Sequence, residues 1–205
     1  MKNLLLLLLI PMCVFAQKRG EQTYDIQDIT AIHIESDIIF KITITAQSTQ
    51  EIQLNTMVDG ETYASTIVHS KVIDDRLEIY TGRTPDFTPF NDKLSAHKVL
   101  SIELEISVPE GIDININSTL AEVHLEGSYG TLQINLGRGG LIGREIRFRE
   151  SIINTISGHV TLSLDKANVS ASSRNGLKKI DHIFNQGPQC TIESIHGDIE
   201  VLQVK

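Results

Sequence analysis

Apolar and polar residues alternate with a period of two along most of the chain, and helical spacing is almost absent. The run Ile112-Asp113-Ile114-Asn115-Ile116-Asn117 puts isoleucine on one face and short polar groups on the other. The same alternation recurs in Leu100–Ile106, Thr131–Leu136 and Val160–Leu164. Successive side chains of a strand point to opposite faces, so each run predicts a half-buried β-strand. β-branched residues dominate these runs and tryptophan is absent, which predicts a core of stacked aliphatic side chains. The expected fold class is all-β.

Two sections differ in texture. Through Pro109 the predicted strands are joined by irregular polar connectors, among them the Pro- and charge-rich stretch 81–98, which reads as a long surface loop. From residue 110 to 205 the strands are short and the turns regular. Glycines at 140, 158, 176 and 197 are spaced by 18, 18 and 21 residues, the length of one coil of a β-solenoid. Residues 153–162 align with 192–201: Ile153 with Ile192, Ile156 with Ile195, Gly158 with Gly197, Val160 with Ile199 and Leu162 with Val201. That shift of 39 is expected to span two coils. The coil between them keeps Gly176 but has Arg174 and Lys178 where the others have aliphatics, so either its register slips or it bulges outward. The expectation is a strand-rich N-terminal section, 17–109, continuing into solenoid coils over 110–205, with Ile156 in the buried column.

The first residues change the setting. Lys2, the apolar run Leu4–Ile10 and the small-x-small site Val14-Phe15-Ala16 before Gln17 have the form of a secretory signal peptide cleaved between Ala16 and Gln17. The apolar run is too short to cross a bilayer as a helix, which takes about 20 residues. A lipid-modified Cys13 is the lesser alternative, because Met12 stands where a lipobox wants a small residue. Cleavage leaves a single cysteine, Cys190, so no internal disulfide can hold the exported chain. A formal charge of −8 argues against a nucleic-acid partner, which needs a clustered positive surface. The expected location is the periplasm, the cell surface or the medium.

The segment 100–127, with its Val108-Pro109-Glu110-Gly111 turn, is followed by glycine-cornered units of alternating polar and apolar residues. In these features the chain resembles exported bacterial families described as "putative adhesins", of the auto-transporter adhesin head GIN domain type. The resemblance runs roughly from Tyr24 to Val204, and departs from the pattern at Ala121 and around Gly176. It implies a right-handed β-solenoid, β-helix-like, at the cell envelope, with adhesion rather than chemistry as its role.

Glycines crowd the segment 137–150 and suggest a phosphate loop. A dinucleotide fingerprint, however, needs a helix after its third glycine, and here Ile146 and Phe148 alternate with Arg147 and Arg149 at strand period. A solenoid corner explains the glycines better. Arg138, Arg144, Arg147 and Arg149 form a candidate patch for an acidic glycan or an acidic partner surface, the latter two on the outward face of one strand. The plainer reading is an outer face solubilised by alternating charge.

The seven histidines (33, 69, 97, 124, 159, 182 and 196) show no metal-ligand spacing, and no calcium loop occurs. No metal, no cofactor and no catalytic residue is assigned. The sequons at Asn117 and Asn168 read as coincidences. The function expected is non-catalytic binding or scaffolding at the cell envelope, with a glycan or an envelope protein as partner. The alternative is a polysaccharide-active enzyme on a β-helix, using outward carboxylates among Asp113, Glu122, Asp165, Asp198 and Glu200. Finally, Ile199–Val204 is strand-like almost to the terminus with no cap after it. That open C-terminal edge is expected either to pair with a second copy, the folded-back N-terminal section or an envelope complex, or to be blunted by Glu200 and Lys205, and Cys190 could record self-association as an intermolecular disulfide.

Overall fold

A computed structural model describes residues 17–60, 65–84, 100–181 and 185–204. The leader, with Ala16, most of the long loop, His97 and His182 lie outside the described residues. Among the described residues the fold is all-β, with a 3-10 turn at Ile26–Asp28. In chain order the strands are β1 (Gln17–Asp25), β2 (Ala31–Ser36), β3 (Lys41–Gln47), β4 (Glu51–Gly60), β5 (Thr66–Ile73) and β6 (Arg76–Arg83). There follow β7 (Leu100–Pro109), β8 (Asp113–Ser118), β9 (Glu122–Ser128), β10 (Thr131–Leu136), β11 (Leu141–Arg147) and β12 (Glu150–Thr155). The last six are β13 (Val160–Leu164), β14 (Ala167–Ser173), β15 (Lys178–Ile180), β16 (Asn185–Gln186), β17 (Gln189–Ser194) and β18 (Ile199–Gln203).

They form two mixed nine-stranded sheets. The first runs β1-β4-β7-β3-β9-β11-β13-β18-β15 and the second β16-β14-β17-β12-β10-β8-β2-β6-β5. From β8 to β13 successive strands alternate between the sheets and pair in parallel, so each circuit of chain lays one strand on each. Antiparallel pairs, β1 with β4, β4 with β7 and the hairpin of β5 with β6, finish the N-terminal end. Strands from both sides of Pro109 share both sheets, β2 pairing with β8 and β3 with β9.

Alternation is what builds the core. In the second sheet Ile34, Ile116, Ile134, Ile153 and Ile192 stack in register, all buried, and in the first Ile42, Val123, Leu141, Val160 and Ile199 do the same. Both columns belong to one apolar cluster, so no circuit buries its apolar face alone.

The turns from second sheet to first, here called forward corners, carry a second pattern. Ser36, Ser118, Thr155, Ser194 and Ser173 share one register column. The Ser118, Ser194 and Ser173 hydroxyls each accept from the backbone N–H three residues on, and Ser36 does so from Ile39. Three residues beyond the hydroxyl come Ala121, Gly158, Gly197 and Gly176, with Gly139 in the circuit that has Leu136 instead. Here glycine is obligatory: a Cβ at Gly158 would sit 1.7 Å from the Gly139 carbonyl oxygen, and one at Gly197 would sit 1.9 Å from that of Gly158. The column therefore uses Gly139, not the Gly140 of the sequence-based spacing. Gly111, in the turn after Pro109, is needed for a different reason, its φ of +84°.

The order of circuits departs from chain order. β12 pairs directly with β17 and β13 with β18, so Ile153 meets Ile192 and Val160 meets Ile199. The 39-residue shift separates immediate neighbours, not circuits two apart. The intervening segment, β14 and β15, lies outside them at the end of the stack, with its register intact: Ser173 pairs with Ser194 and Lys178 with Ile199. Its composition explains the place. Ala167, Val169, Ala171 and Ser173 are small, and Lys178 takes an inward column position yet stays exposed, its Nζ 3.4 Å from the Ala171 carbonyl oxygen. Polar inward positions cost little at an end and much inside.

Two expectations are overturned here. β18 is hydrogen-bonded on both sides, so the C-terminal strand is not an open edge. Cys190 is fully buried in β17, its thiol pushed up to about 12 by loss of solvent, which removes it as a recorder of self-association. Thiol reagents are expected to leave Cys190 unmodified in the folded chain and to titrate it fully in denaturant; labelling without denaturant at the unfolded rate would contradict its placement.

Candidate binding surface

The four arginines do not make one patch. Arg138 lies in the forward corner between β10 and β11, whereas Arg149 lies in the opposite corner, between β11 and β12, about 20 Å away along the strand. Arg144 is on the outer face of the first sheet, lining a small pocket with Thr43, His124 and Glu126. The register of β11 shifts between Gly143 and Ile146, where Glu145 adopts a φ of +50°. This bulge ends the strand at Arg147 and puts Arg149 beyond it, so the two do not share one strand face. Arg149 donates to Asp113 Oδ1 at 3.1 Å and to Thr131 Oγ1 at 2.9 Å, tying neighbouring circuits together. Arg138, Arg144 and Arg147 make no ion pair with the described residues.

The outward carboxylates are dispersed and individually engaged. Asp113 holds Arg149 and the Thr131 N–H. Glu122 lies 2.5 Å from His124 Nε2, Asp198 accepts from the Leu177 N–H at 2.7 Å, and Glu200 lies 2.6 Å from Lys179 Nζ. This last contact raises the Lys179 pKa. Asp165, in the turn after β13, makes no ion pair with the described residues. Among the described residues no group of three or more His, Cys, Asp or Glu side chains is placed to hold a metal.

What the fold does assemble is an amide ladder on the outer face of the second sheet. The Asn135 carboxamide donates to Asn117 Oδ1 at 2.8 Å, and Asn154 donates to Asn135 Oδ1 at 2.9 Å. Parallel in-register pairing puts the three side chains in one column, which continues through Glu193 to Ser172. The ladder floors an open groove of about 630 Å³, rimmed by Ile156, Ile195 and Arg174 at the forward corner. A polar groove of about 550 Å³ continues past Thr119 to Glu35, Asp37 and Tyr80. Sequence reasoning passed over the ladder, although asparagines at 117, 135 and 154 repeat at the same interval as the circuits.

Ile156 is corrected by the same geometry. It is 54% exposed, because β12 ends with Thr155 facing inward and the next residue already belongs to the corner. The core residue of that circuit is Ile153.

No protein-family profile matches the chain, and no curated protein sequence does. Solved structures do. One described as a "putative adhesin" from Bacteroides fragilis has a TM-score of 0.33 and 10% identity, over 90% of this chain and 97% of that one. A "putative lipid binding protein" from Parabacteroides distasonis gives 0.28 and 14%, over 91% and 97%. A "putative cell adhesion protein" from Clostridium sporogenes gives 0.59 and 14%, over 92% of this chain and all of that one. With that last protein the chain shares its all-β fold.

Proposed function

We propose that this chain is a non-catalytic, exported cell-envelope protein, a single adhesin-like domain that binds an extended polar polymer along the outer face of its second sheet. Its stacked circuits are read as a β-solenoid, in keeping with the resemblance to GIN-type adhesin families. The leader-like residues 1–16 support export to the periplasm or surface. The observation that carries the binding role is the ladder of Asn117, Asn135 and Asn154. Each amide uses only part of its hydrogen-bonding capacity on its neighbours, so a repeating set of donors and acceptors faces solvent at about 4.8 Å intervals. A glycan, with hydroxyls along its length, is the ligand class that such a repeat suits, and an open groove suits a chain better than a small molecule.

The test is binding of the exported protein to a glycan array, followed by analysis of the bound glycans. Wild type is expected to retain ligand without shortening it, and the double change Asn135→Ala with Asn154→Ala to lose about tenfold in affinity, at roughly 0.5–1.5 kcal/mol per hydrogen bond lost. New reducing ends accumulating in proportion to protein would overturn the reading in favour of a polysaccharide-active enzyme. Retention unaffected by the double change would move the site away from the ladder.

A further inference from the structure

The two kinds of corner differ sharply in what they expose. Nine large apolar residues are exposed among the described ones, and five of these, Phe40, Leu120, Ile156, Ile195 and Leu177, lie on the forward corners. Phe40 is 58% and Leu177 78% exposed. They project from five different circuits along one edge. The opposite corners expose Glu110, Arg149, Asp165 and Lys166, and among the described residues the exposed apolar ones at that end are Val72 and Ile73 beside the β5–β6 turn. Apolar tips grouped this way on a chain of formal charge −8 are not ordinary surface scatter.

Charge on this edge is also unusual. Arg138 and Arg174 stand among the apolar tips with no ion pair to any described residue. Of the carboxylates nearby, Asp37 accepts from Thr119 Oγ1 at 2.5 Å, Glu122 contacts His124, and Asp198 accepts from the Leu177 N–H, while Glu193 lines the same groove as Arg174. Two cations without an ion pair among the described residues thus stand between apolar side chains.

The path of the chain supplies the third observation. Gln17 at the start of β1 pairs with Asp59, and Asp59 with Ser101. Ser101 precedes Ile102, whose carbonyl accepts from the Phe40 N–H. Gln17 thus lies level with the forward corners, three strand spacings or about 14 Å from Phe40. β1 therefore starts at the same edge that carries the exposed apolar residues.

We propose that the forward-corner ridge docks on an anionic lipid surface. Phe40, Leu120, Ile156, Ile195 and Leu177 enter the boundary between headgroups and acyl chains, and Arg138 and Arg174 take lipid phosphates. A ridge about 24 Å long, with an apolar tip on five of its six circuits, matches a flat interface better than a single small ligand. Docked this way, the protein directs its opposite, charged corners away from the bilayer, and both outer sheet faces stand free along its sides.

The experiment uses the chain expressed with its leader and purified as the cell processes it, with an environment-sensitive label on Ser157→Cys in the ridge or Lys166→Cys in the opposite corner. Buried Cys190 takes no label in the folded state. On vesicles of phosphatidylcholine with phosphatidylglycerol, the ridge label is expected to shift to the blue and the Lys166→Cys label to stay unchanged. Replacing Arg138 and Arg174 with serine is expected to weaken vesicle binding about thirtyfold, at about one kcal/mol for each cation near an anionic surface. Added salt should weaken wild type likewise. Equal response of the two labels would overturn the proposal. So would a ridge shift that appears without vesicles and grows with protein concentration, since a second copy would then cover the ridge. Glycan retention through the asparagine ladder is read separately, so failure here leaves that result standing, and the converse holds.

Discussion

Replacing Ile153 with aspartate is expected to abolish the cooperative melt, while the same replacement at Ile156 leaves the melt nearly unchanged. Ile153 has no exposure and sits between Ile134 and Ile192 in the inner column of the second sheet. A carboxylate there would meet only apolar neighbours, and an uncompensated buried charge costs several kcal/mol, comparable to the whole stability of about 5–15 kcal/mol of a domain. Ile156 is more than half exposed at the corner, and an exposed substitution changes stability by about 0.5 kcal/mol or less. Thermal unfolding followed by the strand signal in circular dichroism distinguishes the two. Equal damage from both changes would contradict the inward and outward assignments of this circuit.

The second large effect is expected at Gly158. An alanine Cβ would lie 1.7 Å from the Gly139 carbonyl oxygen and 2.5 Å from its carbonyl carbon, both backbone atoms. Relief requires two circuits to move apart at the corner, against the Ser157 N–H to Gly137 carbonyl bond of 2.9 Å and the Leu141 N–H to His159 carbonyl bond of 2.8 Å. Gly158→Ala is therefore expected to destabilise by about 3 kcal/mol or more, in the range of backbone strain and broken networks. The reverse change, Ala121→Gly, is expected to cost about 1 kcal/mol or less, as a loss of conformational restriction alone. Denaturant midpoints measure both. A Gly158→Ala protein as stable as wild type would remove the close corner stacking.

Much of this was legible beforehand and some was not, for definite reasons. Strand period exposed the inward set from Ile114 through Leu164, because alternation is a direct record of which face is buried. Register between residues 153–162 and 192–201 was legible too, since matching side chains stack. Neighbourhood was not. Similarity of two segments says they occupy equivalent positions, and the chain between them can be laid outside as readily as inside. The clue lay in the inward residues of the displaced circuit, Val169, Ala171, Ser173 and Lys178, too small and too polar for an interior place. Ile156 was misread because it matches Ile195, and a matched apolar pair resembles a core pair whether it faces inward or outward. The hydroxyl three residues before each corner glycine, at Thr155, Ser173 and Ser194, marks where the strand stops and would have placed Ile156 outside. As for the surface, arginines close in sequence were separated by the bulge at Glu145, whereas asparagines 18 and 19 residues apart were brought into hydrogen-bonding contact.

The placing of β17 and β18 directly against β12 and β13, with β14 and β15 outside them, is the central claim about how the circuits stack, and it is the one to test most directly. Asn154 and Glu193 are partners on adjacent parallel strands, and Glu193 is in turn the partner of Ser172. Asn154 and Ser172 are then two strand spacings apart, about 9.6 Å, beyond the reach of a disulfide. Two variants, Asn154→Cys with Glu193→Cys and Asn154→Cys with Ser172→Cys, are oxidised under native conditions and the bridges identified by mass spectrometry. The circuit order described above predicts rapid bridging in the first and none in the second. Bridging between positions 154 and 172 with none between 154 and 193 would mean that the circuits stack in chain order, and would contradict it.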